Sequence, residues 1–181
     1  VAPAYFRRLQ AIDDVTGEAT HRMIAFSQGV PVLHRLCAGT DVPAHAPALR
    51  YAQQQCVHDA TVALVGGGSQ EDVECGGKAY QCAPIHRGKS PAQTALDNGN
   101  PGAAAAMLCG VLESRKSVPV RRFIAIAKIP VREILQALRA HPLDAMWDRR
   151  LRALIKKCGG LDMLCSPEID DAAIARRWSG H

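Results

Sequence analysis

Three combinations of residue types in this chain could do chemistry by their spacing: cysteine with histidine, glycine with lysine, and clustered arginine with lysine. The first is Cys75-x6-Cys82-x3-His86, with Cys56-x-His58 upstream. Zinc takes four nitrogen or sulfur ligands in tetrahedral order, and tight turns help to place them. No Cys-x2-Cys knuckle supplies such a turn, so the reading adopted is no cofactor, with zinc at Cys75, Cys82 and His86 as the alternative. The second combination is a phosphate-cradling loop, and it fails on inspection. Gly77-Lys78-Ala79 lacks the hydroxyl residue and has Asp72 where the first glycine belongs. Gly88-Lys89-Ser90 ends correctly but has Ala83 at that position. Without those glycines the backbone cannot approach phosphate closely.

No strand-turn nucleophile motif and no His-Glu-x-x-His helix occurs. Asp13-Asp14 and Asp170-Asp171 are adjacent pairs, which point to different faces of a helix and suit helix ends better than shared acid–base work. His34, His45 and His141 stand alone. No catalytic residue is assigned, and the chain is read as not an enzyme.

The third combination is charge. Residues 115–160 carry twelve Lys/Arg against three Asp/Glu, whereas residues 1–114 carry eight against ten and residues 161–181 two against four. The overall charge of +5 therefore comes from one segment. Such a block implies an acidic partner, whether a protein face, a phosphate backbone or an anionic surface; a solvated helix face is the alternative.

The elements that must position these residues read as helices. The chain has 181 residues, 48% of them hydrophobic and only 4% aromatic. Strand-built cores draw on aromatic and β-branched residues in alternation, and Ala and Leu at spacings of three and four favour packed helices instead. No apolar run approaches the roughly 18 residues of a membrane span. Seven cysteines, mostly within apolar helical patterns, indicate free thiols that pack as small hydrophobes in a reducing compartment. Cytoplasmic localisation is expected; the alternative, suggested by a first residue other than Met, is a mitochondrial or other organellar protein after transit-peptide removal.

Helices are expected at 3–13, 20–27, from Pro31 through Leu36, 45–56, 60–65 with Asp59 as cap, 91–97 capped by Ser90, from Pro101 to about Glu113, 120–127, from Pro130 through Leu138, 143–158, and in two short pieces of the tail. Residues 66–89, rich in Gly and holding two cysteines, read as an inserted loop. Trp147 and Trp178 read as packing anchors.

This grammar repeats. Thr20–Leu36 is a short helix, a glycine, an apolar-Pro pair and an amphipathic helix; Ala48-Leu49-Arg50-Tyr51-Ala52 falls in a long third helix. The same order returns at Arg121–Pro130, Ile134–Leu138 and Leu151–Leu154, closing on Gly159-Gly160. Gly29-Val30-Pro31 aligns with Lys128-Ile129-Pro130, 99 residues on, or two periods of about 40–47 residues plus an insertion. The pattern resembles the armadillo-repeat family. Gly88-Lys89-Ser90-Pro91 with Asn98-Gly99-Asn100 also looks like one ankyrin unit, but the long third helices favour the armadillo plan.

The resemblance implies an all-α solenoid of about three three-helix repeats, at approximately 16–58, 59–117 and 118–160, with a partial one at 161–181. It also implies a non-catalytic interaction or scaffold module, an accessory subunit of a larger assembly that binds through its curved face. In peptide-reading members the third helix carries Trp and Asn one turn apart. Here the Asn position is Gln54 or Lys156, and one turn earlier lie Arg50 and Arg152. The binding surface implied is therefore a basic ridge of Arg149, Arg152 and Lys156, continued by Arg50 and Gln54, that takes an acidic protein partner. The alternative is RNA on the same ridge, although only Phe123 and Trp147 offer aromatic rings within the basic segment.

Overall fold

Glycine, proline and small polar residues decide where the helices start and stop. The computed structural model describes residues 26–27, 30–39, 46–66, 86–114 and 120–165. Within them run helices α1 (Val32–Ala38), α2 (Pro47–Gly66), α3 (Pro91–Asp97), α4 (Pro101–Ser114), α5 (Val120–Ile126), α6 (Val131–Ala140), α7 (Ala145–Lys157) and α8 (Leu161–Cys165), with a 3-10 turn at Pro142–Asp144 before α7. The described chain is mostly helical, as its composition implies.

Ser90 caps α3, its hydroxyl accepting from Gln93 N–H at 3.2 Å, and Pro91 takes the first turn, where a missing N–H costs nothing. Asn98-Gly99-Asn100 then reverses the chain into α4. Gly99 sits at φ 67, with Asn100 N–H returning to Ala95 O and Gly99 N–H to Leu96 O, the Schellman pair of bonds. His86 and Lys89 bridge across the tight turn that precedes this helical hairpin.

Helix α4 is the hub, with α2, α3, α6 and α7 all packed on it. Every residue from Pro101 to Leu112 is buried, and its run of alanines is apolar all round, the composition of a helix enclosed on every side. Small side chains let neighbours approach closely: a Cβ on Gly110 would stand 3.0 Å from His58 O and from Thr61 Cβ. α6 buries Val131, Ile134, Leu135 and Leu138, and α7 buries Trp147, Leu151 and Ile155, each set following the helical period. Trp147, 1% exposed, is a packing anchor.

Three expectations are corrected. Phe26–Ser27 is extended rather than helical, paired antiparallel with Val30–Pro31 in two-residue strands. Val30 precedes a proline and is steered away from helical backbone. Asp59 caps no new helix: α2 continues through it, since neither Gly nor Pro interrupts 48–65, and its carboxylate is occupied by Gln55 and His58. The boundary proposed between repeats at 58/59 thus falls inside one helix. Leu143 belongs to the 3-10 turn, and the α-helix begins at Ala145. The expected helices at 3–13 and in the tail beyond 165, most of that at 20–27, and most of the 66–89 loop lie outside the described residues. No helix among the described residues is long and apolar enough to cross a membrane.

Candidate functional site

The buried stripe of α2 is half polar: Gln54, Val57, His58 and Thr61 share one face at i, i+3, i+4, i+7. Its polar members must find partners, because an unpaired buried polar group costs about 1–3 kcal/mol. Thr61 Oγ1 donates to Val57 O one turn back at 2.8 Å, and Gln54 and His58 reach other elements. Gln54 Nε2 donates to Asp144 Oδ1 at 2.8 Å and to Asn100 Oδ1 at 3.2 Å. Asp144, 1% exposed, also accepts from Gly102 N–H at 3.2 Å, so it covers the first turn of α4 from another element. Arg50 reaches Gly99 O at 2.7 Å and Asp144 Oδ2 at 3.5 Å. Asn100 Nδ2 donates to Gln53 Oε1 at 3.1 Å. The result is a lock that joins α2, the α3–α4 turn and the 3-10 turn. Arg50 and Gln54, expected on an open groove, are committed to it.

A second polar cluster lies farther along α2. The His58 ring stands between two carboxylates, Nδ1 2.9 Å from Asp59 Oδ1 and Nε2 2.6 Å from Glu113 Oε2. Arg150 grips Glu113 with two hydrogen bonds, Nε to Oε1 at 2.8 Å and Nη2 to Oε2 at 2.9 Å, and its guanidinium lies 5.3 Å from the Trp147 ring centre. Burial pulls the Glu113 carboxyl upward, but the Arg150 and His58 hydrogen bonds outweigh it and hold it below the usual carboxylate range. The Glu113 hydrogen bond raises Arg150 in turn. The nearby Cys109 thiol is pushed up to about 12 by burial, and Cys37 likewise, so neither supplies the thiolate that nucleophilic chemistry needs. The cluster ties α2 to α4 and α7.

The exposed face of α7 is different in kind. Arg149, Arg152 and Lys156, at i, i+3, i+7, are exposed and lie away from the Trp147–Leu151–Ile155 stripe. Arg152 Nε donates to both oxygens of Asp148, at 2.9 and 3.0 Å, one turn back on the same helix. Sequence reasoning placed these three on a ridge, and the structure keeps them together on one face. Arg50 and Gln54 instead turn to Asp144 in the polar lock.

Cys75 and Cys82 lie outside the described residues. His86 packs edge-on to His34, ring centres 5.5 Å apart, and His34 Nδ1 lies 2.9 Å from Thr94 Oγ1. Among the described residues no three His, Cys, Asp or Glu side chains gather as a metal set. Sequence reasoning missed Asp144, Asn100 and the Glu113–Arg150 pair. Their signal was weak, a polar residue at an apolar register position in α2, and their partners lie 37 to 94 residues away. Comparison with protein-family models, with curated proteins and with solved structures finds no match.

Proposed function

We propose that this chain is a non-catalytic interaction module, built from stacked helical units, that holds the acidic surface of a protein partner against the outer face of α7. The observation that carries this reading is the division of α7. Its apolar stripe is spent on the core, while Arg149, Arg152 and Lys156 face outward together with no apolar task. Exposed cations gathered on one helix face steer and orient an oppositely charged partner.

The repeat architecture belongs to the same proposal. The sequence α5, Lys128-Ile129-Pro130, α6 and α7, closing on Gly159-Gly160, supports an armadillo-like triplet at 118–160. The turn at His86–Lys89 followed by the hairpin of α3 and α4 follows the turn-plus-two-helices plan of an ankyrin unit. Both plans stack units side by side and leave one long face for a partner.

Nucleic acid is the second reading, and one observation weighs against a single-stranded ligand. Phe123 and Trp147, the aromatic residues of the basic segment, are 3% and 1% exposed, so neither offers a stacking platform.

The test is charge reversal of all three cations, R149E/R152E/K156E. These residues are exposed and belong to no buried network, so stability should change by no more than about 1–2 kcal/mol in total, part of it from the lost Arg152–Asp148 pair. Partners captured by the wild-type chain should be lost. Capture of the same partners by the reversed variant, with its helical circular-dichroism spectrum intact, would refute the proposal.

A further inference from the structure

A cavity of about 290 Å³ opens between α5, α6 and α8, with no residue of α7 in its lining. Its apolar lining includes Ile124, Ile129 and Leu164, all buried. Arg121, Lys128 and Arg132 bring three cations to it, against one lining carboxylate, Glu133. Arg132 also meets Asp162 at 3.3 Å, an exposed pair that an incoming carboxylate can displace at little cost.

Lys128 provides an independent observation. Helix α5 ends on the Schellman pair of bonds, Ile129 N–H to Ile124 O at 3.0 Å and Lys128 N–H to Ala125 O at 3.1 Å, which puts Lys128 at φ 50. α3 and α7 close with the same pair, and there the left-handed residue is Gly99 at φ 67 and Gly159 at φ 95. In the sequence repeat, too, the counterpart of Lys128 is Gly29. A side chain is strained in this backbone region, where glycine is not. Of these three helix ends only the one at Lys128, which lines the cavity, carries that strain, and strain held at a cavity edge points to work done by the side chain.

We infer that this cavity is a docking site for an acidic peptide segment of a partner protein, which seats an apolar side chain in the cavity and sets its flanking carboxylates against Lys128 and Arg132. The inference rests on the acidic-partner reading above but draws on none of the α7 residues. The cavity is at the bottom of the roughly 300–1,000 Å³ range of small-molecule pockets, a size that suits an anchoring side chain.

The test is fluorescence anisotropy of the labelled peptide EEDLEED with the full chain. Lys128→Gly should raise the thermal midpoint, by relieving the strain, and weaken the peptide roughly three- to tenfold, by removing a charge. A purely structural Lys128 would give the first effect without the second. Ala125→Phe, at an exposed lining position, should block binding without altering charge. The uncharged peptide QQNLQQN should bind more weakly than EEDLEED. R149E/R152E/K156E should still bind EEDLEED. Equal binding by wild type, Lys128→Gly and Ala125→Phe overturns the site, as does failure of wild type to bind the peptide. Loss in the α7 variant alone overturns the site and leaves the acidic reading of α7 standing. An oligonucleotide that binds as well as EEDLEED and is lost with Lys128→Gly reassigns the cavity to phosphate and overturns the peptide.

Discussion

At the scale of single residues, Glu113 shows how charge is used inside this protein. It is partly covered, yet it stays ionised because Arg150 and His58 both bind its carboxylate. Its folded pKa lies below that of an unfolded chain, about 4.3. The stability it contributes is therefore complete above that value and is lost as pH falls through the depressed folded value. Glu113→Gln should accordingly be less stable than wild type at neutral pH, and the gap should narrow as unfolding is measured at progressively lower pH below about 4. Urea denaturation at stepped pH reads this directly; a gap of constant size down to the acid transition would remove Glu113 from the acid response. The same residue scale explains the cysteines. Cys37 and Cys109 are wholly buried with thiols raised to about 12, in keeping with their reading as small hydrophobes.

At the scale of elements, the contact of α2 with α4 depends on what α4 lacks. A Cβ on Gly102 would stand 2.2 Å from Gln54 Nε2 and 2.5 Å from Asp144 Oδ1. Gly102→Ala returns about 1 kcal/mol of helix propensity, but overpacking a closed site typically costs about 1–3 kcal/mol. Here the displaced groups also hold buried hydrogen bonds. The clash should win, and thermal unfolding should show a lowered midpoint; a raised midpoint would mean that the lock yields freely. Much of this level was legible in the sequence. Ser90-Pro91, Asn98-Gly99-Asn100 and Pro101 carry local instructions for capping and turning, and α3 and α4 follow them. α6 and α7 follow their apolar period. α2 was misread because Gln54, His58 and Thr61 occupy its buried stripe, so a hydrophobic count sees a break at Asp59 where the backbone has none. The armadillo resemblance puts Gln54 and Arg50 on a groove, and the Asp144 carboxylate that claims them lies 90 and 94 residues away, a distance that local pattern cannot bridge.

At the scale of the whole molecule, charge and packing are divided between faces. Two ion pairs, the buried Asp144 with Arg50 and the partly covered Glu113 with Arg150, join α2, α4 and the α7 region. Among the described residues, the surplus positive charge of the 115–160 segment is exposed at Lys128, Arg132, Arg139, Arg149, Arg152, Lys156 and Lys157. Arg149, Arg152 and Lys156 belong to that surplus and share one exposed face of α7. Ala153 is exposed between them. A photo-crosslinking amino acid placed at 153, with Ala140 of α6 as an exposed control position, reports what touches that face in cells. The account predicts a crosslinked product at 153, absent at 140, that proteases destroy, nucleases leave intact and added salt diminishes. A product that nucleases destroy, or equal yields at the two positions, would contradict it.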